Sequence, residues 1–212
     1  MGEQLTDISE MNISTEEKIK LAAARVFTKK GYDATTTRDI ADMAGIKLGS
    51  LHYYYRSKEK LFQIVTQEPI IKMASIQKVV FLDNIPLYEK IRKAAEQYVD
   101  FFVENPLIPM FIISESEKNP DRLYDIMDFR TIDEEISKEL KKLNEEGIIR
   151  EISVENFIGD LIGLLCFPFM AKLSMMYSFQ HDEAAYKEWL ISRKEHIPEL
   201  LINYLYINPP EE

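Results

Sequence analysis

Residues 27–61 read FTKKGYDATTTRDIADMAGIKLGSLHYYYRSKEKL and carry the strongest structural signal in the chain. Two short apolar patterns lie on either side of Gly45, one over residues 38–44 and the other over residues 47–55. In both patterns the apolar residues recur three or four positions apart, which places them on one face of a helix. Two short helices joined by a glycine turn form a helix-turn-helix, and we predict that motif here.

Capping residues mark the helices around this motif. Ser14 and Glu17 have the spacing of a capping box, and Gly31 suits the end of the helix that follows. Thr35 to Thr37 and then Ser57 suit the starts of later helices, because their hydroxyls accept from free backbone amides. The predicted core of this segment consists of Val26, Phe27, Ile40, Ala41, Ala44, Ile46, Leu51, Tyr55 and Leu61.

The rest of the chain also predicts helices. We expect them at about residues 58–82, 86–104, 107–117, 120–146, 154–179 and 183–206, with an interruption or bend at Pro69. No segment has the alternation of a β-strand. The predicted fold is therefore all-α: an N-terminal three-helix helix-turn-helix domain over residues 14–60, then a larger helical domain over residues 61–208.

Composition excludes several classes of protein. The 212 residues are 46% hydrophobic, which allows a sizeable core, and the single Cys166 excludes a disulfide scaffold or thiolate metal cluster. No apolar run reaches the roughly 20 residues of a membrane helix. The first thirteen residues carry Glu3, Asp7 and Glu10 without Lys or Arg, unlike a signal peptide. We expect a cytoplasmic protein with no metal and no cofactor.

The net charge of −10 is unevenly distributed along the chain. Residues 14–60 contain ten Lys or Arg against six Asp or Glu, a balance of +4, whereas residues 61–212 contain 16 against 27, a balance of −11. An anionic partner is therefore expected at the N-terminal end only.

Several exposed positions of the motif have the chemistry to contact DNA. The N-terminal end of the second helix of such motifs enters the major groove. There Lys47 and Ser50 can donate hydrogen bonds, and Leu48 can meet a thymine methyl group. Arg38 can pair with guanine or bind a phosphate, while His52 is either a contact or a solvated side chain. The candidate contacts within the motif are Thr36, Thr37, Arg38, Lys47, Leu48, Ser50, His52, Tyr53 and Tyr54.

The order of features over residues 14–65 resembles the TetR family of bacterial transcriptional regulators. These features are a Gly-aromatic pair, the threonine cap, Ala-Gly in the turn, Gly-Ser-Leu, a triple aromatic and then Ser-Lys-Glu. The resemblance implies a base contact from Arg38 and phosphate contacts from Tyr54 and Lys58. Lys47 stands where the family usually has a capping Ser or Thr, and His52 stands where a tyrosine is common. Beyond residue 65 the resemblance covers only the all-helical plan.

The last two predicted helices favour a homodimer. Residues 154–179 are apolar nearly all round, and a single chain has few other elements to cover such a helix. The resemblance implies the same, through a four-helix bundle, and two-fold symmetry then predicts a near-palindromic operator. The expected interface residues are Leu161, Leu165, Leu173, Leu201, Tyr204 and Leu205.

The larger domain is rich in aromatic residues and methionine, which form adaptable pockets. The resemblance implies a small-molecule effector there, and the net charge favours a largely hydrophobic, neutral or cationic one. Asp100 and Asp160 interrupt apolar stretches, so each lies at the surface, in a salt bridge or facing a ligand. The candidate pocket residues are Asp100, Phe101, Met110, Phe111, Asp160, Phe167 and Met170.

These features predict a ligand-responsive regulator that represses transcription from a double-stranded DNA operator. We do not expect an enzyme, because the sequence has no phosphate-binding loop, nucleophile elbow or catalytic acid–base set. Two alternatives remain open: a helical adaptor for protein interactions, and a small helical enzyme that uses the N-terminal motif as a scaffold.

Overall fold

The computed structural model describes residues 8–118, 121, 127 and 129–210. The chain divides into two compact units, one of Met1–Ile71 with Met110–Leu123 and one of Lys72–Pro109 with Tyr124–Glu212. The fold is all-α, as predicted; across the described residues the β-type pairing is one isolated bridge between Ile149 and Tyr206. The helices are α1 (Thr15–Ala34), α2 (Thr37–Ala44), α3 (Leu48–Tyr54), α4 (Lys58–Phe62), α5 (Glu68–Phe81), α6 (Leu87–Glu104), α7 (Ile108–Lys118), α8 (Phe129–Glu145), α9 (Val154–Met170), α10 (Lys172–Ser178) and α11 (Glu183–Leu205). Most of the predicted stretch 120–128 lies outside the described residues.

The ends of α1 follow the predicted chemistry. The Glu17 amide donates to Ser14 Oγ at 3.2 Å, and the Ser14 amide donates to Glu17 Oε2 at 2.9 Å, so the capping box is confirmed. Gly31 breaks the helix with a φ of 78° and a ψ of 171°, a conformation that favours glycine. The buried Thr35 hydroxyl then donates to the Gly31 carbonyl oxygen at 2.7 Å and holds the chain as it turns toward α2.

The helix-turn-helix is present as predicted. Thr36 caps α2, and Gly45 ends it in the left-handed region with a φ of 66°. The predicted core residues of α2 and α3 are buried, including Ile40 and Leu51, except that Ile46 in the turn is only half-buried. These buried residues fix which face of α3 is left outside.

The helical run from Lys58 to Phe81 continues through Pro69. Inside a regular α-helix, proline removes one backbone hydrogen bond and its ring clashes with the carbonyl four residues earlier. A π-helical turn over Gln63–Gln67 comes immediately before it, with the Glu68 amide donating to the Gln63 carbonyl oxygen. The predicted disturbance at Pro69 is thus a widened turn rather than an end of the helix.

The second unit has its own core. Helix α6 packs along α11, and α8 and α9 add buried residues from other sides. Ser153 caps α9 by accepting from the Asn156 amide at 3.2 Å, as its position predicts. The core includes Leu87, Ile91, Tyr98, Phe102, Ile136, Phe157, Leu161, Leu165, Phe169, Ile197, Leu201 and Leu205.

The apolar stretch predicted as one helix over residues 154–179 is two helices. They meet at Ala171 and are bent by 76° relative to each other, three residues after Pro168. Among the described residues no single helix has the length and apolarity of a membrane span; α9 and α10 reach them only when taken together across this bend.

Candidate nucleic-acid interface

Helix α3 has one buried face and one exposed face. Leu51 is fully buried, and the buried Tyr55 that follows the helix donates its hydroxyl proton to Glu16 Oε1 at 3.1 Å. On the other side, Tyr53 is 84% exposed and Tyr54 is 43% exposed. Their rings lie edge to face with centroids 5.4 Å apart. Two adjacent exposed tyrosines form a preorganised surface for a partner.

The basic side chains in and near α3 are available to a ligand. Arg38, Lys47 and His52 are all exposed, and none of these side chains has a bonding partner in the part of the chain that the structure describes. Leu48 and Ser50 are half-buried beside them. As expected from its sequence, Lys47 gives α3 no side-chain cap. Apart from the threonines and Lys58, the side chains of the predicted contacts therefore have no hydrogen bond or ion pair with the described residues.

The threonines before α2 act mainly as caps. The Thr36 hydroxyl donates to Asp39 Oδ2 at 2.8 Å and accepts from the Asp39 amide at 3.1 Å. The Thr36 amide also donates to Asp39 Oδ2, at 2.9 Å. Since both donors of Thr36 are used, it has none left for a phosphate, whereas Thr37 is half-buried at the first position of α2. We therefore keep Thr37 and remove Thr36 from the candidate contacts.

Asp39 is also the electrostatic anchor of α2. Lys30 Nζ lies 2.7 Å from Asp39 Oδ1. This contact, with the hydrogen bonds from Thr36, lowers the pKa of the Asp39 carboxyl to about 2. Asp39 therefore remains ionised and keeps Lys30 engaged at the start of α2.

Lys58 has a role that its position in the sequence does not reveal. Its Nζ donates to the Tyr32 carbonyl oxygen at 2.9 Å and lies 4.2 Å from the centroid of the Tyr32 ring. The Tyr32 hydroxyl in turn donates to Glu59 Oε1 at 2.8 Å. Lys58 thus links the start of α4 to the end of α1. Because its ammonium group is already engaged by Tyr32, Lys58 is a weaker candidate for a phosphate contact than the sequence indicated.

Arg56 is a candidate that the sequence analysis missed. It lies between the buried Tyr55 and the α4 cap Ser57, is exposed, and has no partner for its guanidinium group within the described ranges. Its position in the sequence could have identified it, because a cation between a core residue and a helix cap must point outward. Arg56 is a free cation close in sequence to Lys58.

The predicted dimer residues do not form one surface. Leu161, Leu165, Leu201 and Leu205 are buried in the core of the second unit, so they have almost no surface left to bury against another chain. Leu173 and Tyr204 are exposed, at 53% and 59%. We correct the expected interface accordingly: the four leucines belong to the core.

The predicted effector residues are also dispersed. Asp100 lies at the surface with its Oδ1 2.5 Å from Lys194 Nζ, and Asp160 is exposed. Both carboxylates are therefore surface groups, and neither needs a ligand to compensate for burial. Met110 and Phe111 belong to the first unit and the other residues to the second. Phe101 is buried, Phe167 is exposed and Met170 is half-buried. These residues do not form one site within either unit.

A groove in the second unit lies elsewhere. It has a volume of about 380 Å³ and runs between the end of α6, the α9–α10 bend and the start of α11. Its residues are Val103, Pro106, Phe169, Lys172, Glu183, Ala184, Tyr186, Lys187 and Leu190. Lys172 forms an ion pair with Glu183 at 2.9 Å. The groove is apolar with a charged rim, and it contains none of the predicted pocket residues.

Comparison with known proteins gives a consistent picture. Residues 19–65 match the family model of bacterial regulatory proteins of the tetR family. The HTH-type transcriptional repressor KstR2 of Mycolicibacterium smegmatis is 42% identical over 55 residues, which are 26% of this chain and 27% of that repressor. This match spans only about a quarter of the length of KstR2.

Two further proteins are similar over almost the whole chain. IcaR, the HTH-type negative transcriptional regulator of the biofilm operon icaADBC in Staphylococcus aureus, is 26% identical over 90% of this chain and 98% of its own. The transcriptional regulator FadR of Bacillus subtilis, solved in complex with stearoyl-CoA, has a similar fold. The TM-score is 0.50 at 16% identity, over 88% of this chain and 97% of FadR.

Proposed function

We propose that this chain is a transcriptional regulator of the TetR family, which represses genes by binding a near-palindromic operator as a dimer. The observation that carries this proposal is the outer face of α3, which exposes the Tyr53–Tyr54 pair, together with the exposed Lys47 at its start and Arg38 in α2, neither of which has a partner among the described residues. Such a face suits the major groove of an anionic duplex.

The contacts divide by chemistry. Lys47 and Ser50, at the start of α3, donate to base edges or phosphates, and Leu48 supports apolar contact with a thymine methyl group. Arg38 reads a base because its guanidinium group is free to pair with guanine. Arg56 and Tyr54 bind phosphate and fix the register of the domain on the duplex. We keep His52 and Tyr53 as neighbouring contacts.

The exposed apolar side chains of the second unit support the proposed dimer. Large apolar side chains remain exposed on the last three helices: Phe167, Leu173, Tyr177, Ile191, Leu200 and Tyr204. On α9, Gly159, Gly163 and Phe167 recur every four residues, and a Cβ added at either glycine would meet nothing within 4 Å. No described residue of the chain covers this strip, and an exposed apolar patch marks a protein interface. A second copy covers it most simply, because isologous contact uses the same surface twice.

We further propose that a small, largely hydrophobic effector releases the DNA. The groove of about 380 Å³ is its candidate site, since Val103, Phe169 and Leu190 provide apolar walls. The groove adds Lys187 to the Lys172–Glu183 ion pair, so its own charges do not support the neutral or cationic ligand expected from net charge. FadR, which was solved with stearoyl-CoA, makes acyl compounds sensible first probes. Release requires that the effector bind the DNA-free conformation more tightly.

The test is binding of the full chain to the DNA upstream of its own gene, measured by fluorescence anisotropy against unrelated DNA of equal length. We expect tight binding to the upstream DNA, at least about a thousandfold tighter than to the unrelated duplex. Equal affinity for the two duplexes would contradict a sequence-specific regulator acting at that site. Addition of stearoyl-CoA or a fatty acid to the bound complex then tests the effector class.

A further inference from the structure

The residues immediately before α1 are part of the folded first unit. Ile8–Glu10 form a single 3₁₀ turn, and the Ile8 side chain is only 2% exposed. Ile13, five residues later and directly before the α1 cap, is 36% exposed. A large aliphatic side chain is buried so completely only when it belongs to a core. This turn precedes the stretch 19–65 that matches the family model.

The turn is held between α1 and the helix-turn-helix. From α1, Lys18 Nζ donates to the Ser9 carbonyl oxygen at 2.6 Å. From the other side, the Gly45 backbone lies against Ser9 so closely that a Cβ on residue 45 would be 2.3 Å from Ser9 Cβ and 3.1 Å from Ser9 Cα. Gly45 is therefore constrained twice, by its φ of 66° and by Ser9.

Helix α3 depends on the Gly45 turn for its position. It has only seven residues, and its N-cap Lys47 makes no side-chain hydrogen bond. Short helices are marginal by themselves, and a missing cap removes further support. Leu48 begins the helix three residues after Gly45, so movement of the turn is transmitted to α3 within one helical turn.

We propose that Ile8 and Ser9 are positioning residues for DNA recognition, which hold the Gly45 turn and thereby the uncapped reading helix α3. The proposal rests on the function proposed above and adds a segment outside the matched stretch 19–65 to the residues that position α3. Ile8 anchors the turn in the core, and Ser9 packs against the one residue whose conformation sets the entry into α3.

The first test replaces Ile8 with alanine in the full chain, with Ile13→Ala as the matched control. We expect Ile8→Ala to lower operator affinity about tenfold and the ratio of operator to unrelated-DNA affinity by a similar factor, since a misplaced helix loses base contacts first. Ile13→Ala is expected to bind like the parent. Ile8→Ala binding with the parent's affinity and specificity ratio would overturn the proposal.

Hydrogen exchange separates positioning from a general loss of stability. The amides of Ser50, Leu51 and Tyr55 are bonded to Lys47 and Leu51 carbonyl oxygens at the two ends of α3. In Ile8→Ala we expect these amides to exchange at least about tenfold faster, with little change in the middle of α1, as in a local opening. An equal increase throughout the first unit would mean a merely structural role and would overturn the proposal.

A double-mutant cycle tests the Ser9 contact directly. Gly45→Ala introduces both the Cβ collision and strain at a positive φ, and Ser9→Gly removes the collision with Ser9 Cβ while the strain and the 3.1 Å approach to Ser9 Cα remain. We expect Ser9→Gly to restore part of the protection of α3 that Gly45→Ala removes; strict additivity would contradict the contact. Because these exchange measurements need no DNA, they remain informative if the parent fails to bind its operator, a result that would count against the proposed function instead.

Discussion

The first unit exposes Tyr53 and Tyr54 on α3 and cations before and after it in the sequence, whereas the second unit exposes large apolar side chains on its last three helices. In the first unit, Leu51 in α3 and Tyr55 directly after it are buried. In the second, α9 buries Leu161 and Leu165 and still leaves Phe167 outside at 59% exposure. The difference indicates two kinds of partner: an anionic polymer for one surface and another apolar surface for the other.

The largest effect is expected from charging the apolar surface of the second unit. Phe167→Asp combined with Tyr204→Asp should give monomers, because two carboxylates would be buried against a second copy. Operator affinity should then fall at least about a hundredfold, since the two reading helices are no longer linked. Sedimentation velocity at micromolar concentration and DNA-binding anisotropy measure the two outcomes.

The control for this variant is Val79→Asp, which places the same charge on a valine of α5 that is 64% exposed. It should remain dimeric. A double variant that sediments and binds like the parent would mean that the exposed apolar residues of α9 and α11 do not form the dimer surface.

A smaller effect is expected from the cations of the first unit. Arg38→Ala should cost about 1–3 kcal/mol of operator affinity and relax the preference at one base pair, as loss of a guanine contact does. Lys29→Ala, at an exposed lysine of α1, is the matched control and should bind like the parent. If Arg38→Ala lowered the affinity for all DNA sequences equally, Arg38 would instead be a phosphate contact.

Two variants distinguish the phosphate contact proposed for Arg56 from the structural role of Lys58. Arg56→Gln should reduce the slope of log affinity against log salt concentration by about one, because one phosphate contact is lost. Lys58→Gln should keep the slope and lower the unfolding midpoint, because the Tyr32 carbonyl and ring lose their partner. The opposite pattern would restore Lys58 as the phosphate contact.

The smallest effect concerns Asp39, whose pKa is lowered to about 2. A carboxyl with a lowered folded-state pKa stabilises the protein above its unfolded-state pKa, and loses that contribution as the pH falls through the folded value. Asp39→Asn should therefore unfold at a lower temperature than the parent at pH 7. The difference in unfolding temperature between the two proteins should narrow between about pH 4 and pH 2. Circular dichroism melts over that range measure this difference; a constant difference would contradict this reading, and Asp33→Asn is the exposed control.

The first unit could be predicted in detail because its signals are local. The Ser14–Glu17 capping box, the break at Gly31 and the turn at Gly45 each depend on residues within four positions. The absence of a cap at Lys47 was equally visible in the sequence. The role of Lys58 was not, because its partner Tyr32 lies 26 residues away and meets it only through the fold.

The interface and pocket residues of the second unit could not be predicted in this way, because they depend on contacts that are not local in the sequence. A helix that is apolar all round has no periodic signal to say which face meets its own core and which meets a partner. Leu161 and Phe167 were therefore indistinguishable in the sequence, although one is buried and the other exposed. Asp100 was singled out as an acid in an apolar stretch, and only the fold brings Lys194 to it.

The central claim is that the α3 surface reads DNA while the apolar surface of the second unit pairs two chains. The most direct measurement is the mass of the complex that the full chain forms with a near-palindromic operator, determined by sedimentation, beside the mass formed with one half-site. We expect two chains on the full operator and at least about a hundredfold weaker binding to the half-site. A single chain bound with equal affinity to both duplexes would contradict the claim.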